Sequence, residues 1–242
     1  AELSTLRAVE RLPTIRRASS GFDGREGILR LSDLVRIIDS HSVDAQKLMV
    51  AELKHATYFE SIGLPLDELF AAEIAGWATQ SNLIVESFEQ TVLERVRSRG
   101  IPGRLVFLCE ASGSPADLVA EFGRRALPYS AHLTDAGLAR LATAVDGVSV
   151  DEKMLLVTDA AGTLTGTTDL VPRAHAAGLE VYAWTLRAES KFLAKNLRRG
   201  ASRDFGDWES EFRMLLSTGL DGVFADQPDL ARAAIDALPS SG

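Results

Sequence analysis

The chain of 242 residues holds a single cysteine, Cys109. That excludes an internal disulfide framework and a zinc site built on cysteines. Cys109 falls inside the apolar run RLVFLCE, where a buried structural thiol is expected rather than a nucleophile. No apolar run approaches the length of a membrane span, and no signal-peptide pattern occurs. Positive charge is in deficit: 26 Lys and Arg stand against 34 Asp and Glu, a formal net charge of −8. This balance argues against nucleic acid or an anionic membrane as partner. The locally basic stretch 191–203 reads as a solvated helix and loop. No G-x-G-x-x-G and no P-loop follows any strand-like run, which weakens a nucleotide-binding reading.

What is present is a recurring unit: a short β-rich run, a polar turn, then a helical stretch. Strand-like runs lie at 47–56, 82–88, 104–110, 146–155, 179–186 and 219–226. Helical patterns follow over 66–79, 89–100 (closed by Gly100), from Ser114 onward, over 167–178 (ended by Gly178) and after Pro228. Alternating strands and helices predict a parallel sheet of βαβ units, and near-continuous apolar strands predict cover on both faces. Residues 1–46 differ. They contain a polar, glycine-bearing loop between Arg17 and Gly27, then a helix expected to be capped by Ser32, and no convincing strand.

Polar residues gather where these strands end: Glu52, Lys54, Glu86, Glu110, Asp151, Lys153, Trp184 and Asp226. In a (β/α)₈ barrel that rim builds the active site. The expectation is therefore an α/β TIM barrel with about six of its eight strands in this chain, as one domain over 1–242. A six-stranded remnant would leave two open edges. Within MVAELKHATYF, strand alternation sets Glu52 and Lys54 on one face and turns His55 toward the helical layer. A buried carboxylate–amine pair is a weak device for stability alone, so the pair asks for a chemical reason.

Taken together, AELKHATYF, IVESF, DGVSVDEKML, HAAGLEVYAWTL and LLSTGLDGVFADQPDL, with LRLSDLVRII ahead of them, resemble the glycerophosphodiester phosphodiesterase family, in family order and over nearly the whole chain. The resemblance implies a phosphodiesterase-type TIM barrel that hydrolyses glycerophosphodiesters to sn-glycerol 3-phosphate and an alcohol. The family's His-Arg-Gly, Glu-x-Asp and His-Asp motifs do not occur, so no catalytic histidine is assigned in this chain. Its first two barrel strands are expected to be missing, and a separate polypeptide could carry them. The chain alone is expected to be inactive. The alternative is a non-catalytic barrel remnant that binds ligand or scaffolds.

The same resemblance assigns roles. Glu52 matches a metal carboxylate for a divalent cation, Mg²⁺ or Ca²⁺, which takes several oxygen ligands. Lys54 would lie beside the substrate phosphate, or simply keep Glu52 ionised. Lys153 would contact phosphate on the same rim or stand solvated. Trp184 would wall the pocket, with core packing as its rival, and Ser87 and Phe88 would shape the floor. Glu86 and Glu110 are weaker site candidates, and Asp226 would cap the last helix. His41 and His132 are read in loops and His175 on a helix, none of them catalytic. The partners implied are a small glycerophosphodiester and no nucleic acid. The chain starts with Ala rather than Met, which points to processing, truncation or a missing beginning. A cytoplasmic location is expected, or secretion if an N-terminal segment is missing.

Overall fold

The computed structural model describes residues 2–41 and 47–239. Residues 42–46, the end of the expected leading loop, lie outside them. The chain builds β1 (Met49–Glu52), β2 (Leu83–Ser87), β3 (Arg104–Cys109), β4 (Gly147–Asp151), the hairpin β5 (Leu156–Thr158) and β6 (Leu164–Thr167), β7 (Glu180–Leu186) and β8 (Gly222–Ala225). Helices are α1 (Leu31–Ser40), α2 (Ala56–Ser61), α3 (Leu66–Ile74), α4 (Gln90–Ser98), α5 (Ala116–Phe122), α6 (Tyr129–His132), α7 (Asp135–Leu141), α8 (Leu170–Ala176), α9 (Trp208–Leu216) and α10 (Pro228–Asp236). The main sheet runs β1-β2-β3-β4-β7-β8, every pair parallel. It is a curled half-barrel, and among the described residues β1 and β8 are its edge strands.

The six sheet strands stand where the apolar runs placed them, with shorter bounds. The run 47–56 stops being a strand after Glu52, because His55 adopts a left-handed conformation (φ 57°, ψ 40°) and starts α2. The run 146–155 ends at Asp151, and a 3₁₀ turn takes over. The β5–β6 hairpin was not anticipated. Ser32 does not cap α1: Arg30 is the cap residue and Ser32 lies inside the helix. Gly100 and Gly178 close their helices with positive φ, as read from their positions.

Two side-chain layers leave the sheet. Toward the helices, Leu83, Val85, Phe107, Val148 and Val181 meet Leu93, Val96, Leu138, Leu141, Phe212 and Leu215 in one core. Toward the barrel interior, Ile84, Val106 and Tyr182 pack as a smaller cluster. Gly222 is required beside it, since a Cβ there would come within 2.8 Å of the Tyr182 ring. At the N-terminal end of the strands Arg104 Nη1 donates to Glu180 (2.9 Å) and the Tyr182 hydroxyl donates to the same carboxylate (2.6 Å). That end is closed with polar ties. Cys109 is buried, and burial pushes its thiol pKa upward, as a structural thiol requires.

Candidate active site

At the C-terminal ends of the strands lies a cleft of about 570 Å³ lined by residues from β1, β2, β3 and β7 and the segments that follow them. Its first side is made where β1 runs out. Leu53 N donates to Glu86 O (2.8 Å), and the Ser87 hydroxyl donates to Leu53 O (2.8 Å), so the chain past Glu52 is tied to β2. Lys54 therefore keeps its place beside Glu52, 3.4 Å from Nζ to Oε1, although it no longer belongs to the strand. Its ammonium also lies 6.0 Å from the centre of the Phe88 ring.

The adjoining wall is aromatic. Trp184 meets Phe88 edge to face at 5.8 Å and 82°, and Phe88 meets Tyr129 at 6.3 Å. The Trp184 indole Nε1 is buried with no hydrogen-bond partner among the described residues. Four carboxylates line the cleft: Glu52, Glu86, Glu89 and Glu110. Glu89 is buried and engaged, accepting from Thr57 N (2.9 Å) and the Thr57 hydroxyl. Glu86 pairs in register with Glu52. Its burial, then the neighbouring Glu52 charge, lift its pKa to about 7, and Lys54 pulls the other way. A carboxyl group poised there can hold or release a proton near neutrality.

The structure brings Glu52, Lys54, Phe88 and Trp184 together, with Glu86 and Glu110. It does not bring Lys153 there; this residue sits exposed in the turn after β4, outside the cleft lining. Ser87 is no part of the floor, since its hydroxyl is spent on Leu53 O. His55 does not face the helical layer: the left-handed turn ends strand alternation, and the residue lines the cleft. Asp226 does not cap α10. Its carboxylate accepts from Arg16 Nη2 (2.6 Å) and Arg187 Nε (2.7 Å), while Gln227 takes the cap position. His132 ends α6 rather than lying in a loop, and His175, on α8 as expected, bonds Asp221 at 2.9 Å.

Sequence reasoning missed Arg11, Tyr129, Arg187 and Phe224, all of which line the cleft. Arg187, three residues past Trp184 at the end of β7, could have been found by extending the rim rule by one turn. A metal ion does not fit the residues present: among the described residues no three His, Cys, Asp or Glu side chains gather closely enough to hold one. Glu52 offers one carboxylate, and Lys54 already engages it.

The family model for glycerophosphoryl diester phosphodiesterases matches residues 30–230. Among solved structures, the chain is similar to a Silicibacter pomeroyi protein assigned as a glycerophosphoryl diester phosphodiesterase, with 17% identity and TM-score 0.62, covering 97% of this chain and 67% of that one. It is similar to an Oleispira antarctica phosphodiesterase in complex with the product sn-glycerol-3-phosphate, with 19% identity and TM-score 0.56, covering 88% and 63%. A glycerophosphodiester phosphodiesterase from Parabacteroides distasonis is similar at 12% identity and TM-score 0.56, covering 98% and 70%. At these identities the likeness is one of fold. The chain spans roughly two thirds of the length of each structure, from 63% to 70%.

Proposed function

We infer the function from one premise, that the chain belongs to the glycerophosphoryl diester phosphodiesterase family. A longer protein, of which this chain would be the C-terminal three-quarters, is proposed to hydrolyse glycerophosphodiesters to sn-glycerol 3-phosphate and an alcohol. The observation that carries the reading is a single juxtaposition. The Glu52–Lys54 pair and the Phe88–Trp184 wall meet in one cleft at the C-terminal ends of parallel strands.

Each side chain has a task in that reaction. Lys54 offers a compact positive charge to a phosphate, and Glu52 holds the lysine in position. Phe88 and Trp184 give a carbon skeleton an apolar surface and keep water from one side of it. Glu86 can keep or give up a proton near neutral pH. A divalent cation, Mg²⁺ or Ca²⁺, belongs to the proposal only for the whole protein, where Glu52 would be one donor among others. No acid–base pair is assigned in this chain, so by itself it is expected to be inactive. One observation favours a binding-only role instead, the lack of a gathered metal-ligand set among the described residues.

Turnover separates the two. Release of sn-glycerol 3-phosphate from glycerophosphodiesters is measured with this chain and with a longer protein containing it, with Mg²⁺ or Ca²⁺ and with chelator. Activity in the longer protein, lost on chelation and reduced by about 10²-fold or more in Lys54→Met, is the expected result. A folded longer protein without turnover would leave the binding-only reading standing, and turnover by the chain alone would refute the need for further groups.

A further inference from the structure

The residues before α1 lie over the cleft rim as a strap. Within it Ala8 N donates to Glu26 O (2.8 Å), Gly24 N to Ala8 O (2.9 Å) and Glu10 N to the Asp23 carboxylate (2.7 Å). Arg16 clamps the strap to the far side of the barrel. Its Nε donates to Glu189 Oε1 at 2.7 Å and its Nη2 to Asp226 Oδ2 at 2.6 Å. The clamp is firm because Glu189 is buried, and Asp226 is shared with Arg187, itself a cleft residue. Burying the Glu189 charge requires a partner of this kind, with Gln227 Nε2 adding a second bond at 3.0 Å.

Five residues before the clamp, the strap places Arg11 in the cleft lining. The other long cations of that lining are already matched, Lys54 with Glu52 and Arg187 with Asp226. Arg11 is exposed and, among the described residues, has no ion pair. It also stands outside the span matched by the family, which begins at residue 30. A guanidinium held over a cleft by its neighbours, and not itself paired, is prepared to form two parallel hydrogen bonds to an oxyanion.

We propose that the strap before α1 delivers Arg11 to the cleft as a phosphate-binding residue that acts alongside Lys54. The proposal rests on the phosphodiesterase reading, which gives the cleft an anionic phosphate to bind. Arg16 is then a positioning residue: it touches no ligand and fixes the strap that carries Arg11.

Binding of sn-glycerol 3-phosphate to the chain, followed by amide chemical shifts at several ionic strengths, tests this. Arg11→Gln should weaken binding by about tenfold or more, the size of one lost charge-assisted contact, and Arg11→Lys should recover part of it. Arg25→Gln removes the same charge from the strap away from the cleft and should change affinity by less than about twofold. Lys54→Gln reports on the underlying reading. Weakening in Lys54→Gln with none in Arg11→Gln overturns the strap and leaves the phosphodiesterase reading in place. Equal losses in Arg11→Gln and Arg25→Gln reduce the effect to net charge and overturn the assignment of a contact. No binding by the folded wild-type chain overturns both readings for this chain.

Discussion

β1 and β2 lie side by side, in register from Met49↔Leu83 to Glu52↔Glu86, yet their surroundings differ along most of their length. All five residues of β2 are buried, whereas along β1 only Met49 is. Composition does not explain this, since MVAE and LIVES are similarly apolar. The neighbour does: β2 has β3 on its far side, and among the described residues β1 has no second strand. The registered pair Glu52 and Glu86 carries the chemical consequence. The same residue type, one strand apart, is exposed and paired with Lys54 at the edge, and buried with a pKa near 7 inside. Position in the sheet, more than residue type, decides which carboxylate meets solvent and a lysine and which is held in the interior with its pKa raised.

The largest test of this contrast is core truncation. Phe107 on β3 is fully buried in the main cluster, and Phe107→Ala should cost about 3–5 kcal/mol in urea unfolding. Val50 on β1 is 37% exposed, and Val50→Ala should cost less than about 1 kcal/mol. Comparable losses at the two positions would mean that the edge is as tightly packed as the interior.

The contrast also explains what was legible in the sequence. Interior strands such as LIVES and RLVFLC declared themselves as continuous apolar runs, because both faces are covered and few polar residues interrupt them. Lys54, Phe88 and Trp184 could be placed on the rim because strand ends follow from those runs. The misses are non-local or conformational. Arg16 meets Asp226 across 210 residues, so nothing near Asp226 announces the clamp that overrides helix capping. His55 turned the other way because one left-handed residue breaks the period of two. The hairpin of β5 and β6 hides in a stretch rich in Thr and Gly, where alternation is faint and loop composition dominates.

A middle-sized effect comes from polar burial just past the C-terminal end of β4. Glu152, in the turn after β4, is 4% exposed, and its Oε2 has no hydrogen-bond partner among the described residues. Desolvation first, then Glu211 and Asp151, raise its pKa from 4.5 to about 8, against Lys153 and Arg187. Glu211, also buried, accepts from Ala194 N (2.8 Å) and is shifted upward too. With the folded pKa above the unfolded one, the folded state binds the extra proton. Stability is therefore full below about 4.5, falls as pH rises through the window up to about 8, and levels off beyond it. Glu152→Gln should flatten this slope by about 1–3 kcal/mol between pH 5 and pH 8, read by denaturant unfolding at each pH. Parallel slopes in wild type and variant would place the pH dependence elsewhere.

The finest comparison leaves stability untouched and asks only which amides are covered. Met49 N donates to Asn82 O and Leu53 N to Glu86 O, both at 2.8 Å, so the odd-numbered amides of β1 face β2. Backbone groups alternate along a strand, and the amides of Val50 and Glu52 therefore point off the sheet. Those of Ile84 and Glu86 lie between two strands. Hydrogen exchange at neutral pH should be faster at Val50 and Glu52 than at Ile84 and Glu86 by several orders of magnitude, since only the latter need the sheet to open. Equal protection at Val50 and Ile84 would show that another segment covers the β1 edge. Glu52 would then sit in an interior strand, and the division between an exposed edge carboxylate and a buried inner one would fail.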